Sequence, residues 1–143
     1  RGIAGRLHFT SFEAYPLAPA DLQQALSVHP GLPVELLRNG VPDALEGSDF
    51  ALQVIPGDAR QTLPCWTGRA DAWFLDGFSP AKNPELWGDS LMAQVARHTA
   101  PGGTAATYTA AGHVRRALDQ AGFDVIRTPG YGRKRHMTRA RLR

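Results

Sequence analysis

Apolar and polar residues alternate along Leu7 to Glu13, LHFTSFE, and the run ends on an acid shortly before the breaker Pro16. That alternation predicts a strand. Around Ala20 to Val28 the pattern ADLQQALSV suits a short helix stopped by Pro30-Gly31, and Leu32 to Leu37 suit another helical turn ahead of Asn39-Gly40. FALQVI at Phe50 to Ile55 predicts a strand closed by Pro56-Gly57-Asp58. The compact apolar run AWFL, Ala72 to Leu75, predicts a strand covered on both faces, as in a parallel sheet.

In the second half, Asn83-Pro84-Glu85 reads as a helix start. An asparagine N-cap accepts early backbone N–H bonds, and proline at the first helical position gives up a donor that is orphaned anyway. The helix is expected to carry Leu86, Leu91, Met92 and Val95 inward and to stop at Pro101-Gly102-Gly103. TAATYT, Thr104 to Thr109, follows as a threonine-rich strand. A helix over Gly112 to Ala121, with Val114 and Leu118 at i, i+4, ends at Gly122. Phe123 to Ile126 is a further strand. After the loop PGYGRKR, the alternation Met137, Arg139, Arg141, Arg143 predicts a last strand returning antiparallel.

Strands separated by helices imply right-handed β-α-β crossovers, so the fold class is α/β in three layers with a mostly parallel sheet. Ligands in such sheets bind beyond the carboxyl ends of the strands. Three strand ends in this chain carry acids: Glu13, Asp58 and Asp76. Each alone also fits a turn residue, since Asp-Gly after a strand is ordinary turn chemistry.

Composition narrows the class. The chain of 143 residues is 43% hydrophobic and 20% charged, as expected for one globular domain. A lone cysteine, Cys65, excludes an internal disulfide, and its neighbour Trp66 suggests a half-buried thiol rather than a nucleophile. No apolar run approaches the roughly 20 residues of a membrane span, and RGIAGRLHF lacks the apolar core of a signal peptide, so a cytoplasmic location is expected. The formal charge of +3 is unevenly placed. RKRHMTRARLR, residues 133–143, holds 6 of the 16 Lys and Arg and none of the 13 acids, leaving 10 minus 13, or −3, for the remainder. Such a patch suits a polyanion; an edge strand protected by charge is the alternative.

A carboxylate at a strand end can accept two hydrogen bonds from a vicinal diol, a role open to Glu13. Asp58 suits an adenine amino group or a turn amide. In DGFSPAKNP, Asp76 to Pro84, the prolines restrict the backbone so that Asp76 and nearby carbonyls face a pocket, and an acceptor-only rim suits an amine or ammonium. Methylating an amine needs in-line positioning and loss of a proton more than covalent help. Lys82 by itself reads more simply as a solvated loop lysine than as part of a site. His8, His29, His98, His113 and His136 lack ligand spacing, so no metal is expected, and there is neither a P-loop nor a G-x-S-x-G elbow.

Three blocks carry a resemblance: DAWFLDGFSPAKNPELW (Asp71 to Trp87), PGGTAATYTAAGHVRRALDQAGF (Pro101 to Phe123) and GYGRKRHM (Gly130 to Met137). Together with HFTSFEAYPL (His8 to Leu17) they resemble the methyltransferase domain of the MnmC family of bifunctional tRNA-modifying proteins. The resemblance implies a Rossmann-like class I methyltransferase sheet with an antiparallel C-terminal strand. The first strand and its glycine-rich turn are absent from this chain, so residues 1–143 are expected to form a partial domain. It further implies S-adenosyl-L-methionine as cofactor and the aminomethyl group of 5-aminomethyl-2-thiouridine, at the wobble position in the tRNA anticodon, as substrate. FAD enters only with a C-terminal oxidoreductase domain. By the same resemblance Glu13 takes the cofactor ribose, Asp58 lies near the adenine, and Asp76 with Gly77 and Phe78 faces the methyl donor and amine. Pro80, Lys82 and Tyr108 line the substrate side, Tyr108 with packing as its other reading. Arg133, Lys134 and Arg135 meet tRNA phosphates. Two other readings stand beside this one: a methyltransferase for a different amine, and an inert fragment that binds tRNA through its basic edge.

Overall fold

In the computed structural model, which describes residues 5–29 and 39–143, the alternating segment LHFTSFE is the strand β1 (Leu7–Glu13). Chain contacts divide the molecule into two compact units, Arg1–Thr62 and Leu63–Arg143.

In the first unit β1 is followed by α1 (Pro19–Leu26), β2 (Ala44–Glu46), β3 (Phe50–Pro56) and the single turn α2 (Ala59–Thr62). Helix α1 stops at Leu26, short of the expected Val28. Ser27 caps it, giving its N–H to the Gln23 carbonyl at 3.0 Å and its hydroxyl to that of Gln24 at 2.7 Å. The expected stop at Pro30-Gly31 and the turn over Leu32 to Leu37 lie outside the described residues. The sheet order is β1-β3-β2, with β1 parallel to β3 in unbroken register from Leu7↔Phe50 to Glu13↔Pro56. The three-residue β2 pairs antiparallel with β3 and is too short to leave a periodic trace in the sequence.

The second unit holds β4 (Ala70–Phe74), α3 (Asp89–Arg97), β5 (Thr99–Thr107), α4 (Gly112–Gln120), β6 (Phe123–Pro129) and β7 (His136–Leu142). Its sheet runs β4-β5-β7-β6, with β4 parallel to β5 and the last two strands antiparallel. The expected antiparallel C-terminal strand is present. It lies inside the sheet between β5 and β6, so its arginines do not protect an edge. One face is the core: Val114, Ala117 and Leu118 of α4 and Leu91, Met92 and Val95 of α3 are buried together with Ala105, Phe123 and Ala140 of the sheet. Each Val, Leu, Met or Phe side chain among them that is removed from water contributes roughly 1.5–3 kcal/mol.

Four expectations need correction. The run AWFL is not covered on both faces, because Phe74 is 73% exposed on the face opposite the core. Asn83-Pro84 does not open the α-helix. It precedes a 3₁₀ turn, Pro84–Trp87, without a side-chain cap bond, and α3 begins only after Gly88. That helix ends at Arg97, and β5 starts at Thr99, before the proline and glycines expected to stop it. They form a bulge instead. Ala70 pairs with Thr99 and Ala72 already with Thr104, with Gly102 at φ +71°, a conformation open to glycine. Cys65, at the end of a 3₁₀ turn over Leu63–Cys65, is exposed rather than half-buried.

Candidate active site

In the first unit, parallel pairing brings two of the three strand-end acids to one end of the sheet. Glu13 closes β1 opposite Pro56, its carbonyl accepts the Gly57 N–H at 2.9 Å, and its Oε1 accepts the Tyr15 N–H at 3.0 Å. Its Oε2 makes no hydrogen bond among the described residues. Asp58 is differently committed. Its carboxylate accepts the Arg60 backbone N–H at 2.8 Å and is gripped by the Arg60 guanidinium, with Nη2 at 2.5 Å from Oδ2. Its carbonyl receives the Gln61 and Thr62 N–H groups, so Asp58 starts α2. The Arg60 side-chain bonds, followed by the backbone bond, hold the Asp58 carboxyl below its ordinary pKa. Of the two roles read from the sequence, the turn amide is the one seen. Arg60 went unread, although an Asp with Arg two residues on was visible in PGDAR.

In the second unit, the chain leaves β4 and the Leu75 N–H still bonds the Ala106 carbonyl at 2.9 Å. The next residues form the loop DGFSPAKNP. Asp76 is exposed, and its carboxylate has no hydrogen bond or ion pair among the described residues. The carbonyls of Gly77 and Phe78 each receive one long-range donor: the Tyr108 hydroxyl at 2.6 Å and the Trp87 Nε1–H at 2.8 Å. The two aromatic rings meet edge to face, with centroids 6.2 Å apart and planes at 83°. The Ser79 carbonyl accepts the Lys82 and Asn83 N–H groups at 2.8 and 3.0 Å, closing a tight turn. Pro80 is buried beneath it, whereas Lys82 and Phe78 are exposed, Phe78 at 69%. A carbonyl has two acceptor sites, so each fixed carbonyl retains one. The loop therefore presents oxygen acceptors in a preset arrangement.

Trp87 is the residue that sequence reasoning passed over. At 2% exposure it belongs to the core, yet its one polar atom holds the loop. Its place at the end of DGFSPAKNP-x-x-W was the available signal.

The basic run is divided in space. Arg141 bonds the Gly102 carbonyl at 3.2 Å, and Arg143 pairs with Asp119 and, at 2.9 Å, with Asp124. Arg133 and Arg135 are exposed and unpaired among the described residues, in the loop joining β6 to β7. Lys134 places its Nζ 5.2 Å from the centroid of the Tyr108 ring. Thus Gly77, Phe78, Tyr108 and Lys134 form one connected group, with Asp76 adjoining it. Among the described residues no three His, Cys, Asp or Glu gather as a metal site, and no helix is long and apolar enough to cross a membrane.

An α/β chain with acids at its strand ends and an acceptor loop after β4 has the makings of a group-transfer enzyme. Residues 36–143 match the family described as S-adenosyl-L-methionine-dependent methyltransferase, and the chain belongs to that family. Its fold is the corresponding Rossmann-like methyltransferase fold, here in two sheets.

The resemblance to the MnmC methyltransferase domain is borne out as well. The chain is 48% identical over 143 residues to the tRNA 5-methylaminomethyl-2-thiouridine biosynthesis bifunctional protein MnmC of Pseudomonas fluorescens (strain Pf0-1), covering 92% of this chain and 22% of that protein. The same-named protein of Chromobacterium violaceum is 45% identical over 149 residues, covering 96% and 23%. The chain thus spans less than a quarter of the length of these curated relatives. Among solved structures, MNMC2 from Aquifex aeolicus superposes with a TM-score of 0.69 at 28% identity, over 96% of this chain and 54% of that one. SAM-bound CalS10, an amino pentose methyltransferase, reaches 0.53 at 14% identity, over 96% and 84%, and shares the fold.

Proposed function

We propose that residues 1–143 are part of a domain that methylates the aminomethyl group of 5-aminomethyl-2-thiouridine at the tRNA wobble position. The observation that carries this reading is the Asp76 loop, an exposed carboxylate beside two carbonyls fixed by Tyr108 and Trp87. The name of the relatives supplies the substrate: 5-methylaminomethyl-2-thiouridine differs from its aminomethyl precursor by one methyl group on nitrogen.

Glu13 fits the cofactor, because its Oε2 remains open to a ribose diol. Asp58 fits less well, since Arg60 already occupies its carboxylate. Bound S-adenosylmethionine supplies an electrophilic methyl group on a sulfonium. The chain's own task is the amine. It must lose a proton before its lone pair can react, and the methylated product is again an ammonium. Asp76 and the free acceptor sites on the Gly77 and Phe78 carbonyls hold the N–H groups in both states and orient the nitrogen. Pro80 stiffens the loop from below, and Lys82 lies on its solvent side. Arg133 and Arg135 meet phosphates of the anticodon arm, and Lys134 extends the same surface. The reaction is placed in the cytoplasm with its tRNA substrate. FAD is assigned to no residue here and belongs with the second activity that the word bifunctional gives the longer relatives.

The test is incubation of the chain with S-adenosylmethionine and tRNA bearing 5-aminomethyl-2-thiouridine, followed by nucleoside analysis. Formation of the methylated nucleoside is expected, with KM rising steeply with salt and rising further in the Arg133→Ala, Arg135→Ala double variant. Equal activity on a free small amine, without salt dependence, would replace tRNA by another amine substrate. Tight tRNA binding without transfer would leave a binding fragment.

A further inference from the structure

We propose that Lys134 is a positioning residue for the Asp76 loop: its ammonium holds the Tyr108 ring, whose hydroxyl fixes the Gly77 carbonyl. This rests on the reading of that loop as the amine-holding rim.

Neighbours in the same basic run behave differently. Arg133 and Arg135 project into solvent, while the Lys134 ammonium lies 5.2 Å from the Tyr108 centroid, within the range in which a ring face attracts a cation. The loop geometry produces this difference. The Lys134 N–H bonds the Tyr131 carbonyl at 3.1 Å and the Gly130 N–H bonds the Arg135 carbonyl at 3.1 Å, so residues 130–135 close into a tight turn. Gly130 permits it, since a Cβ there would sit 2.2 Å from the Lys134 carbonyl oxygen. Tyr108 in turn touches the loop twice, through its hydroxyl on Gly77 and through the edge of Trp87, which holds Phe78. Lys134 is therefore the link between the phosphate-facing turn and the acceptor rim, and RNA bound by Arg133 and Arg135 rests on a turn joined to the rim through Tyr108.

Hydrogen exchange across residues 76–83 of the chain tests this without requiring turnover. In Lys134→Ala, exchange of the Lys82 amide is expected to rise about two- to fivefold, the loss of one exposed cation–π contact. Lys134→Arg keeps a cation over the ring and should restore slow exchange, and Arg133→Ala should leave it unchanged. Tyr108→Phe keeps the ring but not the hydroxyl and should loosen the loop further. At saturating tRNA, Lys134→Ala should lower kcat, whereas Arg133→Ala should raise KM alone. Unchanged exchange in Lys134→Ala beside loosening in Tyr108→Phe would overturn the proposal. So would Lys134→Ala and Arg133→Ala having the same KM and kcat changes. The expected exchange pattern in a chain without methyl transfer to any amine would sustain the clamp and refute the amine reading.

Discussion

In the first unit β1 leaves Leu7 63% and Phe9 46% exposed, and Leu22, at 8%, is the buried hydrophobic residue among those described; in the second, Trp87, Met92, Val95, Val114, Leu118 and Phe123 are all at 2% or below. The two units therefore hold their candidate site residues by different means. Asp76 and its loop stand on a packed core, anchored through Trp87, which is itself core. Glu13 is held by ladder and turn hydrogen bonds, each worth only about 1 kcal/mol net, and Asp58 by turn hydrogen bonds and its local ion pair with Arg60. Preorganisation of the acceptor rim is thus a property of side-chain packing. Placement of the Glu13 carboxylate is a property of backbone register.

Substitutions ranked by size sharpen that contrast. Phe123→Ala should destabilise the chain by about 3–5 kcal/mol, read from denaturant unfolding, because its fully buried ring has no path for collapse. Leu22→Ala, in thinner surroundings, should cost about 2 kcal/mol. Equal losses would erase the difference between the units. Trp87→Phe keeps most of the packing but strands the Phe78 carbonyl, and should cost about 1–2 kcal/mol. Smallest is Asp58→Asn, about 0.5–1 kcal/mol after allowing for solvent screening of the half-exposed Arg60. Its pH dependence has a definite sign. Since the folded state lowers the Asp58 pKa, the contribution is complete above the ordinary value and lost as pH falls through the lowered one. The gap between wild type and Asp58→Asn should therefore be seen at neutral pH and close in acid.

Local periodicity made much of this legible. The alternation of LHFTSFE, the Val114/Leu118 spacing ahead of Gly122, and the returning strand after PGYGRKR all appear where the sequence places them. The losses came where distant residues decide. β7 takes an interior place because β5 pairs with it from Thr104↔Arg141 to Thr107↔Thr138, a choice no local pattern records. The β5 bulge likewise depends on register against β4. Asn83 had every mark of a helix cap, yet the Ser79 turn takes its N–H and a 3₁₀ turn comes first. Within the candidate site, Asp76 and its loop were legible from residue type. The donors that fix its carbonyls, 9 and 31 residues away, were not.

The central claim is that the Asp76 carboxylate holds the amine that receives the methyl group. Methyl transfer by Asp76→Ala, measured against wild type on tRNA bearing 5-aminomethyl-2-thiouridine with thermal unfolding followed in parallel, tests it most directly. The account predicts loss of transfer with an unchanged unfolding midpoint, since the exposed carboxylate carries no structural hydrogen bond. Wild-type rates in the folded variant would make Asp76 a turn residue and contradict it.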